Sequence, residues 1–370
     1  MTRTTVLAQD NAFKLGLFGA NCAGGLAITK APERWVESWD NNLAAARLAE
    51  AAGLEFMLPI ARWHGYRGEV NGQGSSLETL TWAAGLLAGT REIAVFATIH
   101  VPFLNPVFAA KQAITVQMIG HGRFGLNLVA GGNAPEFAMF GIELLEHDER
   151  YRFAEEWVSV VRRLWTEPAP FDFKGRFFDL KGVIGAPKPY EGVAPMIISA
   201  GSSGAGRSFA VRHADCLFMN IVQLETLAQE LAALRASAGP GRATVFASGH
   251  VICRPTRQEA IDYHRYIVHD MGDWEAVQHI LSLRQEQQSV PMEKLIKMKE
   301  RLIGGIGTFP IVGDPDDVAQ TFRTLHEAGI DGMAVGLIDY LAELPFFRDE
   351  VLPRMARLGL RQAAPVAAAR

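Results

Sequence analysis

Eight short apolar runs recur along this chain of 370 residues, and amphipathic stretches separate most of them. The runs are nearly continuous and do not alternate with polar residues, which is typical of strands that are buried on both faces. Strands that alternate with helices pair in parallel through right-handed crossovers. The eight runs are Phe13–Phe18, Leu54–Leu58, Ile93–Thr98, Phe124–Val129, Met196–Ser199, Cys216–Met219, Thr244–Ile252 and Gly332–Leu337.

Helical periodicity marks the stretches between these runs. No linker rich in Pro, Gly or Ser divides the chain, so eight strand–helix units predict one domain over residues 1–370, a (β/α)8 TIM barrel. An open doubly wound sheet is the alternative. The predicted helices are Trp39–Ala52, Leu77–Ala88, Pro106–Ile119, Arg150–Trp165, Leu224–Ala236 and Pro315–Ala328.

Three connections, at about 59–76, 130–149 and 254–313, are too long for ordinary loops between a strand and a helix. The first two follow predicted strands directly, so we expect them at the C-terminal face of the barrel, where active sites lie. Helices within Thr256–Arg301 are expected to cover the barrel mouth.

Composition and charge narrow the class of protein. About half of the residues are apolar, which is enough for a large core, and the net charge of −4 comes without a basic run. A nucleic-acid partner is therefore not expected. Cys22, Cys216 and Cys253 lie far apart and suit reduced thiols. Neither an export signal nor a membrane span is recognisable, so we expect a cytoplasmic protein.

A glycine- and serine-rich turn, Ala200–Arg207, follows one predicted strand and opens a helix. Gly201 lets the backbone approach an anion, and Ser202 and Ser203 add hydroxyl donors at a helix N-terminus, which together indicate a phosphate site. The spacing matches neither a dinucleotide fingerprint nor a Walker A loop. A serine cap after a tight turn explains the pattern equally well.

Polar residues also end two other predicted strands. Asn127 and Thr98 would lie at the barrel mouth, where an amide can bind a planar heterocycle. An Asn satisfied by neighbouring backbone is the structural alternative. Arg150 and Tyr151, at the start of a predicted helix, are placed to meet a phosphate. A helix start whose acidic residues match the helix dipole is the structural alternative for this segment. The histidines lack metal-ligand spacing and no serine-hydrolase motif occurs, so neither a metal site nor a nucleophile is expected.

Four separated stretches together resemble the bacterial-luciferase-like flavin-dependent monooxygenases, in the branch of pyrimidine oxygenase and dimethylsulfone monooxygenase. The resemblance extends from about Phe13 to Leu358, and the family fold is a TIM barrel. The stretches that carry it are Gly122–Val129, His147–Tyr151, Phe173–Gly175 with Phe177–Phe178, and Gly201–Ser203.

The resemblance implies site residues at matching positions. Catalytic positions around flavin N5, where this branch is thought to bind dioxygen, correspond to Leu58, Thr98 and Asn127. Further positions bind the cofactor: Ala61, Arg62, Asn127 and Glu136 match contacts to the flavin, and Arg150, Tyr151, Gly201, Ser202 and Ser203 match the grip on the FMN side chain and phosphate.

The chemistry that the resemblance implies belongs to the cofactor and not to a protein nucleophile. A separate reductase would supply reduced FMN (FMNH2) at the expense of NAD(P)H. A flavin peroxide, formed with O2 at N5 or C4a, would then insert one oxygen atom into a small neutral substrate that is cyclic or heteroaromatic. The same fold leaves open an F420-dependent dehydrogenase and a non-catalytic flavin-binding protein. Relatives are often dimers or tetramers, so a homo-oligomer is expected.

Two departures from the resemblance concern the substrate. Gly132, followed by Asn133, stands where the pyrimidine and sulfone enzymes carry a Trp, which predicts a larger pocket. Ser248 stands two residues before His250, where alkanesulfonate enzymes have an Arg. Because a bidentate Arg is the expected grip on an anion, this argues against a sulfonate. Gly132, Asn133 and His250 are the predicted substrate-pocket residues.

Overall fold

The computed structural model describes residues 10–201, 203–237, 244–284 and 292–362, and eleven strands lie within them. Eight parallel strands close into a barrel in the order β1-β2-β3-β4-β7-β8-β9-β11, with β11 paired back to β1. The predicted TIM barrel is confirmed. The strands are β1 Lys14–Phe18, β2 Phe56–Leu58, β3 Ala94–His100, β4 Phe124–Val129, β5 Phe171–Lys174, β6 Asp179–Val183, β7 Met196–Ala200, β8 Cys216–Asn220, β9 Thr244–Cys253, β10 Phe309–Gly313 and β11 Gly332–Gly336.

Helices surround the barrel and fill its insertions. They are α1 Trp39–Ala51, α2 Thr79–Gly89, α3 Pro106–Ile119, α4 Ala134–Met139, α5 His147–Thr166, α6 Gly204–His213, α7 Leu224–Ser237, α8 Arg257–Arg265, α9 Trp274–Arg284, α10 Met292–Gly305, α11 Pro315–Ala328, α12 Tyr340–Phe346 and α13 Leu352–Arg357. In the described part of the chain, none is both long and apolar enough to cross a membrane.

The local sequence explains where α11 begins and ends. The Asp314 carboxylate accepts hydrogen bonds from the backbone N–H groups of Asp316 and Asp317, and Pro315 occupies the first helical position. Gly329 follows the last turn with a φ of +112°, a conformation that favours glycine. These signals make Pro315–Ala328 one of the helices whose predicted bounds match the structure.

Every second residue of the barrel strands points inward. Phe56 stacks on Phe246 with ring centroids 5.3 Å apart, and Phe96 packs edge-on against Phe56. Gly16 accommodates this layer, because a Cβ there would lie 2.4 Å from the Phe56 ring. The aromatic layer fills the interior, so space for a ligand remains only above it, at the strand ends.

The segment that follows β9 builds a second apolar cluster at the C-terminal face. Residues of α9 and α10 pack there with Ile28 and Tyr66, and the Ile28 N–H donates to the Ile303 carbonyl at 2.8 Å. β10 then pairs with β9 in parallel, outside the barrel. This strand was not predicted, because Pro310 interrupts its apolar run and such a proline fits only an edge strand.

The antiparallel hairpin of β5 and β6 was also not predicted. Its strands are short, four of their nine residues are charged, and Phe171 is the only buried residue among the described positions of these strands. A hairpin of this kind gains its stability by packing against a neighbouring helix. The sequence therefore contains no continuous apolar run that would predict these two strands.

Candidate active site

A cavity of about 430 Å3 opens at the C-terminal ends of the barrel strands. It falls in the usual size range for small-molecule sites. Of the predicted site residues, Ala61, Arg62, Thr98, Asn127 and Gly201 line it. Leu58, which is fully buried, instead belongs to the apolar cluster inside the barrel.

Asn127 and Thr98 form one polar wall of the cavity. The Asn127 Nδ2 donates to the Thr98 Oγ1 at 3.2 Å, and the Thr98 hydroxyl donates to the Pro59 carbonyl at 2.6 Å. The Asn127 Oδ1 is buried and has no hydrogen-bond partner within the described residues. Such an orphaned acceptor is costly unless a ligand donates to it.

The glycine-rich turn lies at the other end of the cavity. A Cβ on Gly201 would lie 2.2 Å from the backbone carbon of Gly206, so only glycine permits this close approach. The Ser203 Oγ caps α6 by accepting from the Gly206 N–H at 3.1 Å. Its own O–H and the first N–H groups of α6 remain available to an anion. Ser202 lies outside the described residues.

The N-terminal part of α5 packs against this turn. A Cβ on Gly206 would lie 2.6 Å from the Tyr151 hydroxyl oxygen, so Tyr151 packs directly against the start of α6. Arg207, on the same turn of α6, lines the cavity beside Gly201. Tyr151, Gly201 and Ser203 are therefore brought together.

Arg150 points instead toward the loop that follows β4. Its Nη1 donates to the Gly131 carbonyl, and a Cβ on Gly132 would lie 2.9 Å from the same Nη1. Arg150 thus occupies the space beside Gly132. Neither Gly132 nor Asn133 is among the residues that line the cavity, so an enlarged pocket at Gly132 stays a prediction.

Glu136 is the centre of a buried polar cluster. Its Oε1 accepts from the Arg62 Nη1 at 3.2 Å and from the backbone N–H groups of Trp63 and His64 at 2.8 and 3.3 Å. The carboxylate is only 1 % exposed. Glu136 therefore holds Arg62, and the loop that carries it, at the edge of the cavity.

His100, at the end of β3, lines the cavity beside this cluster. Its Nδ1 lies 3.8 Å from the Glu136 Oε2, too far for a hydrogen bond. Burial lowers the pKa of His100 to about 4, although the Glu136 carboxylate opposes the shift. The imidazole is therefore neutral at physiological pH.

His250 is buried behind the cavity wall and does not line the cavity. Its Nδ1 is 2.9 Å from the Thr308 Oγ1, and Gly304 and Gly305 pack closely on its ring. Burial lowers the pKa of His250 to about 3. Thr308 lines the cavity and His250 does not, so the role of His250 in substrate binding also stays a prediction.

These features fit a flavin mononucleotide. The orphaned Asn127 Oδ1 suits an N–H of a planar ring, and the Gly201 turn with the α6 N-terminus suits a phosphate at the far end. In the described ranges, by contrast, no group of three or more His, Cys, Asp or Glu residues is arranged to hold a metal ion.

Comparison with known proteins identifies the family to which this site belongs. The profile described as luciferase-like monooxygenase matches residues 14–332. The chain belongs to this family. An FMNH(2)-dependent dimethylsulfone monooxygenase of Pseudomonas fluorescens (strain Pf0-1) is 31% identical, over 95% of this chain and 96% of its own length. A pyrimidine monooxygenase RutA of Methylorubrum extorquens (strain PA1) is 35% identical over 57% of this chain and 56% of its own. The predicted family and enzyme class, a monooxygenase, are confirmed.

Solved structures share the fold. The long-chain alkane monooxygenase LadA is similar with a TM-score of 0.85 and 22% identity, covering 98% of this chain and 94% of its own. An F420-dependent secondary alcohol dehydrogenase is a more distant fold relative, with a TM-score of 0.68 and 18% identity over 93% of this chain and 99% of its own. The comparison with the dehydrogenase thus shows a similar fold and does not support a dehydrogenase activity.

The cavity includes residues that the sequence analysis missed, notably His100, Asn220 and Ile306. Asn220 carries the same signal as Asn127, a polar residue at the end of a barrel strand, and could have been found. His100 was considered only for metal-ligand spacing. Ile306 follows a helix in a long insertion, where no local pattern indicates an active site.

Proposed function

We propose that this protein binds FMNH2 in the cavity at the barrel mouth and uses O2 to oxygenate a small neutral substrate. The observation that carries the proposal is the orphaned, buried Oδ1 of Asn127, in the wall of a cavity whose far end is the Gly201 turn. The dimethylsulfone monooxygenase that is similar over nearly the whole chain is named for FMNH2.

The phosphate would be held at the start of α6. Gly201 removes the side chain that would block the approach, and the Ser203 hydroxyl and the free N–H groups of the first turn donate to the anion. Tyr151 supports the turn from α5, and Arg207 adds positive charge at the same point. The helix dipole favours the anion as well.

The ring would lie between the loop after β2 and the ends of β3 and β4. Bound there, reduced FMN supplies the electrons that activate O2. Asn127 and Thr98 orient the ring edge, Ala61 keeps its face accessible, and Leu58 closes the floor against water. A neutral His100 places no charge beside the reaction, which suits a site that must stay dry.

A separate flavin reductase as the source of FMNH2 belongs to this proposal, because the similar dimethylsulfone monooxygenase is named FMNH(2)-dependent, that is, for flavin in its reduced form. A homo-oligomer, dimer or tetramer, remains a prediction from the resemblance. The substrate is proposed to be cyclic or heteroaromatic.

The experiment combines binding with turnover. The purified protein should bind FMN in preference to F420 and, with a flavin reductase, NADH and O2, should consume members of a panel of neutral heterocycles, ketones and sulfones. Gly201→Ala should weaken FMN binding at least tenfold, because its methyl group collides with Gly206. A protein that binds F420 better, or that binds FMN without any substrate-dependent O2 uptake, contradicts the proposal.

A further inference from the structure

Asn220 lies at the C-terminal end of β8 and lines the cavity. Side chains along a strand alternate between two faces, and Cys216 and Phe218 belong to the cluster inside the barrel. Asn220, two residues further on, therefore points to the same interior side. It stands above the aromatic floor, in a part of the cavity wall formed by β8 and not by the β3 and β4 residues assigned to the flavin.

A neighbouring strand orients the Asn220 amide. Asn220 pairs with Ser248 of β9, and the Ser248 hydroxyl donates to the Asn220 Oδ1. Ser248 is fully buried. Because the carbonyl oxygen is engaged by this hydroxyl, the amide is held with its Nδ2 as the group free to donate. Asn220 therefore presents a donor to the cavity.

Apolar side chains form much of the remaining wall of this compartment. Phe18 packs edge-on against Phe218 with centroids 5.7 Å apart, and Leu26 and Ile306 complete the lining. Ile306 has a φ of +52°, which is strained for a β-branched residue and is found where the surrounding structure requires the side chain to point in one direction. The Asn220 amide donor thus faces a space with a largely apolar wall, in which Thr308 is the polar residue near Ile306.

We propose that Asn220, positioned by Ser248, selects a substrate that carries a hydrogen-bond-accepting oxygen on an apolar body, such as a ketone, lactam or sulfone. This inference rests on the proposed function, because it assigns the substrate side of the same cavity. A neutral donor does not offset the desolvation of a full negative charge, so carboxylates and sulfonates are disfavoured. Because Asn220 is exposed in the ligand-free protein, a hydrocarbon of equal shape would displace water from the amide without replacing its hydrogen bond, and would also bind less well.

The test uses matched probes on the protein loaded with oxidised FMN. Cyclohexanone and methylenecyclohexane differ in the acceptor oxygen, and so do sulfolane and thiolane. Binding is measured by the change in the flavin absorption spectrum. We expect the wild type to prefer the acceptor-bearing member of at least one pair by about tenfold, as one hydrogen bond allows.

Three variants distinguish the role of Asn220 as the donor from that of Ser248 as the residue that positions it. Asn220→Leu should abolish the preference while the apolar probe binds as before. Ser248→Ala should reduce it, because the amide is no longer held, and Ser248→Thr, which keeps the hydroxyl, should retain it. FMN affinity, measured by fluorescence quenching, should be unchanged in all three, which also reports folding. If Asn220→Leu does not fold, the Ser248 pair still decides.

The proposal is overturned if the wild type binds FMN but shows no preference in either pair, or if the preference survives in Asn220→Leu. Failure of the wild type to bind FMN would instead contradict the proposed function. The two failures are therefore distinguished by the flavin titration alone.

Discussion

At the scale of single residues, several unpaired polar atoms lie in the cavity wall or in the loops beside it. Buried side-chain atoms without a partner in the described chain include Nδ1 of His64 and His100, Oδ1 of Asn127 and Asn133, and Oε2 of Glu136. Each costs stability in the absence of a ligand. Their clustering after β2, β3 and β4 indicates a surface organised for binding at the expense of stability.

A substitution at Asn127 measures both the cost in stability and the gain in FMN binding. Asn127→Leu removes the orphaned Oδ1 and keeps a similar volume, so the ligand-free protein should gain about 1 kcal/mol in the free energy of unfolding. FMN should bind about tenfold more weakly, because its hydrogen bond is lost. Urea unfolding of the ligand-free protein and an FMN titration measure the two effects.

Asn42 provides the matched control. It is fully buried on α1, accepts from the Trp82 indole N–H at 2.8 Å and donates to the carbonyls of Glu37 and Ser38. Asn42→Leu should therefore lower the free energy of unfolding by about 2 kcal/mol, since it strands these partners. FMN affinity should not change. Equal signs of the stability change in the two variants would refute this view of Asn127.

Sequence patterns predicted part of this site. Asn127 and Gly201 were predicted because a polar residue interrupts an apolar run near the C-terminal end of one strand and a glycine directly follows another. Glu136 was named only by the resemblance, as a contact to the flavin, and its bonds to Arg62, Trp63 and His64 were not predicted, since a carboxylate in the first turn of a helix is usually a solvent-exposed match to the helix dipole. Its burial depends on the loop that folds over it, which no local pattern reveals.

At the scale of elements, Glu136 joins two insertions. α4 follows β4, and its carboxylate binds the loop after β2 through the Arg62 guanidinium and the N–H groups of Trp63 and His64. The Arg62 guanidinium also lies over the Tyr66 ring, 4.9 Å from its centroid. This contact therefore stabilises a long loop that lacks regular secondary structure of its own.

Breaking this buried pair from one side should be costly. Arg62→Met leaves the Glu136 carboxylate buried without its cation and should destabilise the protein by about 3–5 kcal/mol. Glu136→Gln in addition removes the stranded charge, so the double variant should recover part of that loss. A double-mutant cycle of urea unfolding measures the coupling. Strict additivity of the two single changes would show that the pair does not hold the loop.

Barrel strands were predictable and peripheral strands were not, for a physical reason. The eight barrel strands are buried on both faces, so each forms a nearly continuous apolar run in the sequence. β5 and β6 are mostly exposed, and β10 lies outside the barrel with Pro310 in its run. Strand ends shift by one or two residues because pairing, and not side-chain polarity, determines where a ladder stops, as at His100 and Asn220.

At the scale of the whole molecule, one buried ion pair lies at the end of the barrel opposite the cavity. At the N-terminal end, the Arg361 Nη1 lies 2.8 Å from the Glu55 Oε2, which also accepts from the Leu15 N–H at 2.7 Å. Both charged side chains are nearly inaccessible to solvent. The cavity lies at the C-terminal end, as in TIM barrels generally.

Arg361→Met should destabilise the protein by about 3–5 kcal/mol, because the buried Glu55 carboxylate loses the guanidinium that faces it. FMN affinity should stay within twofold of the wild type. Thermal unfolding and flavin titration provide the two readouts. The control is Arg348→Met, which breaks an exposed pair with Asp349 and should leave the unfolding midpoint unchanged. A joint loss of affinity and stability in Arg361→Met would contradict the separation.

Acid should destabilise the whole fold through its buried imidazoles. Burial lowers the pKa of His250 to about 3, with Arg301 and His264 adding to the shift, whereas an exposed histidine protonates near pH 6.5. As the pH falls below about 6.5, His250 binds a proton in the unfolded chain but not in the folded protein, so the free energy of unfolding decreases. The loss continues until the pH reaches about 3.

Each pH unit costs about 1.4 kcal/mol for such a group, so His250 alone should account for about 2 kcal/mol between pH 6.5 and 5. His250→Gln keeps a polar group beside Thr308 and cannot protonate. Its free energy of unfolding, whatever its value at pH 7, should therefore decline less steeply with acid than that of the wild type, by this amount. Parallel pH profiles for the two proteins would mean that the folded protein already admits a proton or water at His250, and that the barrel is not sealed there.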